Sequence, residues 1–319
     1  MGDLTSFPNG ILSMGVPVIN SLGIGNVYHV VKSTESFYGD FDKNRKTRYS
    51  DGSQNLHTTI QAALDATVEC RNDYVVVYPS NSDYDITAAL TMSKKSVHLV
   101  CPAGLGYEIG ANNSCRIEQT TAATAIIAVS DAAVEIAGFY LKPYIGIAHI
   151  TFAATSYAPN VHHNYIPLKW TSSNAAAFAG SGDACAWGNI EKNYFISQSG
   201  NSQTCAAIIT IGASATGANV SYNQFTIGDG NTATICISNG AVKGNTNFNI
   251  FSEAGGSGAV NGGTITKCYT IHVSGCAIGN RGAVSTGKMG SGGTTLKSYS
   301  ENYGGYIANT GTTNGSVES

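Results

Sequence analysis

Apolar residues along this chain occur in short runs separated by turn-forming stretches. The runs YVVVYP, SVHLVC, AIIAVS and AHITFA begin at Tyr74, Ser96, Ala125 and Ala148. β-Branched runs bounded by polar and small residues are typical of strands. Their first residues lie 22, 29 and 23 positions apart. The pattern therefore predicts short strands that recur once in every few tens of residues.

A second repeat follows, in the copies NVHHNYI, NIEKNYF and NVSYNQF. Each copy reads Asn, an apolar residue, two variable residues, Asn, and an aromatic or apolar residue. The second Asn of each copy, together with weaker copies downstream, defines a predicted structural ladder: Asn164, Asn193, Asn223, Asn245, Asn280 and Asn302. A period of this length built from short strands is typical of a parallel β-solenoid, in which each coil supplies about three strands.

We expect each ladder Asn at a sharp turn between strands, because Asn tolerates the left-handed backbone conformation. Its amide would hydrogen bond to the equivalent Asn in the coils above and below. The neighbouring apolar side chains would point inward and stack: Val161, Ile190, Val220, Ile166, Phe195 and Phe225. The repeat is therefore interpreted as scaffold and not as a catalytic signature.

One segment, NLHTTIQAALDATVEC, has a convincing helical period. Leu56, Ile60, Leu64 and Val68 fall on every fourth position, and Asn55 is the predicted N-cap. We expect an amphipathic helix of roughly three to four turns. Such a helix would cover the open end of the solenoid, where a strand edge would otherwise be exposed.

These patterns divide the chain into four segments. We predict an extended N-terminal anchoring arm at 1–26, a strand, loop and capping helix at 27–73, a parallel β-helix at 74–308, and a polar C-terminal tail at 309–319. The arm is apolar but interrupted by Pro and Gly, which suits docking on a partner. Its candidate docking residues are Phe7, Pro8, Ile11, Leu12, Val16, Val18 and Ile19.

Composition supports an all-β fold and reduces the classes of partner that we expect. The 319 residues include 38 Gly, and only 12% are charged, about half of the usual share. The net charge of −3 provides no basic field, so nucleic acid is not an expected partner. The N-terminal sequence predicts neither a secretory signal nor a membrane span.

The eight cysteines show no CxxC pair and no zinc spacing. Cys205, Cys236 and Cys268 lie 31 and 32 residues apart. If one coil has this length, the three would stack as small buried side chains. We therefore expect free thiols and no disulfide framework.

Candidate catalytic residues are few. His162 and His163 are adjacent, and adjacent strand residues face opposite sides, so we expect only one to point outward. Asp183 and Glu191 could approach each other as the acid pair that glycoside hydrolysis needs, although polar loop positions explain both. The remaining carboxylates of the repeat region are Asp131, Glu135, Asp229, Glu253 and Glu301.

The glycine-rich GDGN and GGSGAVNGG lack the continuation of a phosphate loop. We predict no catalytic residue, no cofactor and no metal site.

Three stretches resemble a group of tailed-bacteriophage proteins that are carried beside virion genes. They are DLTSFPNGILSMGVPVI, the long stretch from TTIQAALDATVEC to SVHLVCPAGLG, and the closing SENYGGYIANTGTTNGSV. Within the second stretch, VVVYPSNSDYD departs from the Pro-Gly-His-Ala-Glu type of turn that members often carry. The resemblance covers both ends of the chain, and the middle only in style.

The resemblance implies a single right-handed β-helix that acts as a virion structural protein, a homotrimer of the head decoration, cement or short-fibre type. It implies assembly in the bacterial cytoplasm, docking on the major capsid protein or another virion component, and no catalytic residues. Two alternatives stay open. One is a tailspike-type polysaccharide depolymerase, either a lyase or a glycoside hydrolase, and the other is a non-enzymatic adhesin that binds a host-surface glycan through Trp170 and Trp187.

Overall fold

Three long parallel sheets form the body of the protein, and each coil of the chain adds one strand to each sheet. The computed structural model describes residues 11–13, 16–18, 25–44, 52–105, 115–144, 146–169, 176–197, 204–212, 214–227, 232–241, 243–253, 264–270, 275–278, 281–283, 288–291 and 297–299. Within a coil the chain enters the first sheet, then the second, then the third. This arrangement is a single-stranded parallel β-helix, so the predicted fold class is confirmed.

The first sheet contains β7 (Leu90–Met92), β10 (Ala125–Val129), β13 (Ala148–Phe152), β16 (Phe178–Gly180), β19 (Thr204–Ile211), β22 (Thr232–Asn239), β25 (Thr264–Thr270) and β28 (Lys288–Ser291). The second contains β4 (Leu56–His57), β3 (Val27–Val30), β5 (Asp73–Val77), β8 (Val97–Val100), β11 (Glu135–Ala137), β14 (Asn160–His162), β17 (Asn189–Glu191), β20 (Asn219–Ser221), β23 (Gly244–Asn247), β26 (Gly275–Ile278) and β29 (Lys297–Tyr299). The third contains β6 (Tyr84–Ile86), β9 (Cys115–Gln119), β12 (Phe139–Lys142), β15 (Tyr165–Leu168), β18 (Tyr194–Ser197), β21 (Gln224–Ile227), β24 (Ile250–Glu253) and β27 (Arg281–Ala283).

The core is built from apolar columns that run along the solenoid axis. Val161, Ile190 and Val220 are aligned on neighbouring strands of the second sheet and are at most 1% exposed. In the third sheet Phe195 aligns with Phe225, and their rings stack at 4.8 Å between centroids. Period-two alternation sends these side chains inward in every coil, so each coil buries its apolar face on the next. The inward stacking predicted from the Asn motif is confirmed here.

A short helix packs at the N-terminal end of the solenoid. Helix α2 (Ile60–Ala66) buries Ile60, Ala63 and Leu64 and packs against β3, β4, β5 and β7. Its N-cap is Thr59, whose hydroxyl accepts from the backbone N–H of Ala62 at 3.3 Å. The predicted start after Asn55 is wrong, because Leu56 and His57 pair with β3 as a strand. The helix therefore has about half of its predicted length.

Helix α1 (Tyr38–Asn44) lies in a segment that was predicted as a polar loop. Its Phe41 packs on Val31 and Leu56, and the Phe41 ring contacts the Tyr78 ring edge-on at 4.7 Å. A one-turn 3₁₀ helix, η1 (Pro102–Leu105), follows β8. Among the described residues, no helix is long and apolar enough to cross a membrane.

Part of the predicted extended arm folds back on itself. Strands β1 (Ile11–Ser13) and β2 (Val16–Val18) pair antiparallel, with Ile11 opposite Val18. The docking residues Phe7, Pro8 and Ile19 lie outside the described residues. The docking function of the arm stays a prediction.

The predicted stack of three thiols does not form as expected. The register of β19 and β22 places Cys205 opposite Ala233, because the coil between them is shorter than the spacing to Cys236. Cys236 is buried in β22, and the register of β22 with β25 places Ile235 opposite Lys267, the residues just before Cys236 and Cys268. Five cysteines in the described part of the chain are free thiols: Cys70, Cys101, Cys115, Cys185 and Cys236.

Candidate functional site

Buried asparagines hold the turn from the second sheet to the third. The Nδ2 of Asn164 donates to Asn193 Oδ1 at 3.0 Å, and the Nδ2 of Asn193 donates to Asn223 Oδ1 at 3.1 Å. Asn193 Nδ2 also donates to the carbonyl of Val161 in the preceding coil at 2.9 Å. These three predicted ladder residues are at most 1% exposed, so their amides satisfy polar groups inside the core.

The fourth member of the ladder is Asn249, whose Oδ1 accepts from Asn223 Nδ2 at 3.1 Å. The predicted fourth member, Asn245, is wrong, since it lies on β23 and pairs with Asn219 in another column. The stretch GNTNFNI offers three asparagines, and spacing alone did not identify the one at the turn. Asn280 and Asn302 lie outside the described residues.

The left-handed backbone at this turn belongs to the residue before each Asn, which corrects the prediction that Asn itself adopts it. We call these four residues the corner column: His163, Lys192, Tyr222 and Phe248, with φ of 54°, 54°, 56° and 54°. A left-handed conformation costs a residue with a Cβ about 1 kcal/mol. Gly or Asn would relieve that cost, so the strain at the corner column makes it a candidate functional position.

Three histidines and one glutamate lie together on the outer face of the second sheet beside this corner. This histidine cluster consists of His98, Glu135, His162 and His163. Glu135 Oε2 lies 2.7 Å from His98 Nδ1, and Glu135 Oε1 lies 2.8 Å from His162 Nε2. His162 Nδ1 is 2.7 Å from His163 Nδ1. The cluster is therefore one hydrogen-bonded chain that ends at His163.

The remaining contacts fix His98 in place. Its Nε2 lies 2.7 Å from Asn72 Oδ1, and its ring stacks on Tyr74 at 4.2 Å between centroids with an interplanar angle of 8°. The strand register brings His98 opposite Glu135 on β8 and β11. His98 is thus a half-buried support for one oxygen of Glu135.

The hydrogen-bond network assigns the proton positions along this chain. Glu135 accepts from His162 Nε2–H, so the Nδ1 of a neutral His162 carries a lone pair. The Nδ1–H of His163 can donate to that lone pair, which leaves the lone pair of His163 on Nε2. No described residue hydrogen bonds to His163 Nε2. The cluster therefore presents an imidazole nitrogen at the corner that can accept a proton.

The pKa shifts agree with this assignment. Burial alone would raise the pKa of Glu135, but the hydrogen bonds from His162 and His98 outweigh it and lower the pKa to about 2. Burial lowers the pKa of His163, and the neighbouring His162 and Lys192 lower it further. Glu135 is therefore ionised and His163 is neutral at neutral pH.

The structure brings together residues that were considered singly in the sequence. His162 and His163 do not face opposite sides as predicted, because His163 lies in the left-handed turn and not on the strand. Within the described part of the chain no hydrogen bond or ion pair links Asp183 to Glu191, and Glu191 instead lies 3.9 Å from Lys192. His98 was missed, because its contact with Glu135 depends on a coil of unusual length.

No group of three or more His, Cys, Asp and Glu side chains in the described ranges is arranged to hold a metal ion. The rings of His98 and His162 hydrogen bond to Glu135, and the ring of His163 hydrogen bonds to His162. These groups can transfer a proton and stabilise charge.

Comparisons with known proteins do not assign the chain to a family. No protein-family model and no curated protein matches the chain. Among solved structures, an alginate lyase from Paenibacillus sp. str. FPU-7 is similar at 11% identity with a TM-score of 0.41, over 80% of this chain and 96% of that one. A likeness at this level does not bear on the substrate or reaction of this chain.

Proposed function

We propose that this protein cleaves an acidic polysaccharide by β-elimination, with His163 as the base. The observation that carries the proposal is the hydrogen-bonded chain Glu135–His162–His163, which directs a neutral imidazole nitrogen to the outer corner. A base that is held in one tautomer by a second group, itself held by a third, is the arrangement that activates proton abstraction in many enzymes.

The neighbouring cation supports an acidic substrate. Lys192 follows His163 in the corner column, one strand spacing of about 4.8 Å along the solenoid. A lysine there would neutralise the carboxylate of a uronate unit and so make its C5 proton more acidic. His163 Nε2 takes the C5 proton, the electron pair forms the C4=C5 double bond, the C4–O4 bond breaks, and the departing oxygen takes a proton from water.

Glycoside hydrolysis fits the cluster less well. That reaction needs a carboxylic acid whose raised pKa keeps it protonated near neutral pH. Glu135 has the opposite shift, and both of its oxygens accept hydrogen bonds from histidine. Elimination needs a base and a cation, and His163 and Lys192 supply them.

A mutational assay tests this function. Purified protein is incubated with alginate, polygalacturonate and hyaluronan, and the ultraviolet absorbance of the new double bond is followed. His163→Asn keeps a residue that tolerates the left-handed turn, and we expect it to lose activity roughly 100-fold or more. His57→Gln, at the far end of the solenoid, is the matched control and should keep full activity. Full activity of His163→Asn, or no product from any of the three polymers, would overturn the proposal.

We also propose that the protein works as part of a phage particle, as a homotrimer of the tailspike type. The support is the resemblance of both chain ends to virion proteins, and the substrate would then be a host-surface polysaccharide. The arm would dock on the major capsid protein or another virion component. Deletion of residues 1–26 should abolish incorporation into gradient-purified particles, and retained incorporation would contradict the docking proposal.

A further inference from the structure

The outer face of the second sheet between β14 and β23 carries a row of polar side chains bordered by exposed aromatic rings. We propose that this face is a preformed binding surface for a polysaccharide chain lying along the solenoid axis. The inference rests on the proposed function and extends it, because it names the side chains that would hold the polymer beside His163. We call it the glycan platform: Trp187, Asn189, Asn219, Tyr222 and Phe248.

Trp187 forms one border and is held in place by a glycine. The residue is 66% exposed, although a large apolar side chain usually avoids solvent. A Cβ at Gly217 would lie 2.6 Å from Trp187 Cε3, so the indole lies directly on the backbone of the next coil. One side of the ring is thus fixed by the protein, while most of the residue stays accessible. A sugar could stack on it with little loss of side-chain entropy.

Between the two aromatic borders, the platform consists of a solvent-facing column of asparagine side chains. Asn160, Asn189 and Asn219 occupy equivalent positions on three successive strands, and Asn219 Nδ2 donates to Asn189 Oδ1 at 3.3 Å. Asn219 Nδ2 also donates to Ser221 Oγ at 3.0 Å. Unlike the buried ladder, this column faces solvent, and it repeats amide donors and acceptors at about 4.8 Å. A regular row of this kind suits the hydroxyl groups of a repeating polymer.

The opposite border is an exposed aromatic pair in the corner column. Tyr222 is 54% exposed, Phe248 is 44% exposed, and their rings stack at 5.1 Å between centroids with an interplanar angle of 18°. Both residues follow Lys192 along the axis. The order at this edge is therefore the base, the cation and then two aromatic rings.

The chemistry of the surface favours a glycan over other partners. A protein partner would require a mainly apolar centre, whereas the centre of this face carries amide and hydroxyl groups together with the carboxylate of Glu191, which lies 3.9 Å from the Lys192 ammonium. Double-stranded DNA carries one negative charge for about every 1.7 Å of its axis, a density that the one lysine at this edge, on a chain of net charge −3, does not match. Exposed aromatic rings that flank polar groups, with a cation in line, suit a chain of acidic sugars.

Binding measurements in an inactive background test the platform. His163→Asn protein is mixed with alginate, polygalacturonate and hyaluronan, and with dextran and double-stranded DNA as competitors, and affinity is read by electrophoresis in polymer-containing gels. We expect retardation by an acidic polymer and not by DNA. Trp187→Asn and Tyr222→Asn, which keep a residue tolerant of positive φ, should each weaken binding about tenfold.

Two further variants sharpen the result. Gly217→Ala should weaken binding without removing an aromatic group, because its Cβ displaces the indole, and tryptophan fluorescence should report the change. Tyr144→Ala removes an exposed aromatic side chain after β12, outside the platform, and should leave binding unchanged. DNA retardation equal to that by the glycans, or unchanged affinity in the Trp187 and Tyr222 variants, would overturn the platform.

The outcomes separate this inference from the proposed reaction. Cleavage by the wild type with unchanged affinity in the platform variants would leave the reaction standing and remove the platform. Binding that is lost in Trp187→Asn, with no cleavage by the wild type, would support the platform and remove the reaction.

Discussion

The side-chain amide of Asn193 bonds to Asn164 in the coil before it and to Asn223 in the coil after it, and so joins three successive coils of the solenoid. Its Nδ2 donates to Val161 O at 2.9 Å and to Asn223 Oδ1 at 3.1 Å, while its Oδ1 accepts from both nitrogens of Asn164 at 3.0 and 3.1 Å. All four bonds lie in the core, where an unpaired polar group is costly. A residue at this position therefore stabilises the turn in its own coil and in the two beside it.

Replacing Asn193 with Ala should reduce the free energy of unfolding by about 3 kcal/mol, because it leaves the Val161 carbonyl and the Asn164 N–H buried without partners. Urea unfolding followed by circular dichroism measures the change. Asn189→Ala removes the same amide from the exposed column four residues earlier and should cost less than about 1 kcal/mol. Equal losses in the two variants would contradict a special role for the buried ladder.

The sequence predicted the parallel β-helix and three of the ladder residues, because stacked coils impose a visible period on apolar and Asn positions. It did not predict which Asn of GNTNFNI lies at the turn, since coil length changes from 30 to 26 residues there. The histidine cluster was hidden for the same reason. His98 and Glu135 are 37 residues apart in the chain and meet only because one coil has a long insertion.

The stacked rings of Phe195 and Phe225 should contribute strongly to stability. Both side chains are fully buried, and their rings are nearly parallel at 5°. Phe225→Ala should cost about 4 kcal/mol, because it opens a cavity beside Phe195 that a rigid coil cannot close. The measurement is again urea unfolding, with Phe248→Asn, at an exposed position, as a control that should change stability by less than about 1 kcal/mol.

Glu135 should make the fold sensitive to acid. Its pKa in the folded protein is about 2, below the ordinary value of 4.5, so its contribution is fully present above pH 4.5 and is lost as the pH falls toward 2. The full contribution is about 3 kcal/mol. Thermal unfolding should therefore show Glu135→Gln well below the wild type at about pH 7 and close to it at about pH 2.5.

A control for the charge itself is Glu69→Gln, which removes an exposed carboxylate that pairs with Lys95. The stability of Glu69→Gln should not move closer to that of the wild type as the pH falls. A gap between wild type and Glu135→Gln that stays constant across this range would show that the carboxylate is not held by the two histidines.

The pH dependence of cleavage should report His163. Since burial and the neighbouring His162 and Lys192 lower its pKa below 6.5, kcat/KM should rise with pH below that value and be level at neutral pH. Lys192→Asn removes one cause of the lowering, so the rising limb should move to higher pH. If the rising part of the kcat/KM profile stays at the same pH in Lys192→Asn, the titrating group is not His163.

His149 should supply a second, independent acid sensitivity. Its ring is buried on β13, its Nε2 donates to the carbonyl of Pro167 at 2.9 Å, and its Nδ1 has no partner among the described residues. Burial lowers the pKa of this histidine from 6.5 to about 4. The unfolded chain therefore binds a proton between these values while the folded chain does not, so stability is constant above pH 6.5 and falls as the pH drops toward 4.

His149→Leu keeps an apolar side chain of similar size and removes the titrating ring. At neutral pH the free energy of unfolding of this variant should be about 1 kcal/mol lower than that of the wild type, because the hydrogen bond to Pro167 is absent. On acidification its stability should fall less than that of the wild type. Between about pH 6.5 and 4 the wild type should lose up to about 3 kcal/mol relative to His149→Leu, so the two stability curves should converge and then cross. Curves that run parallel over this range would mean that His149 takes up its proton in the folded state, and that the ring can reach water or a polar partner.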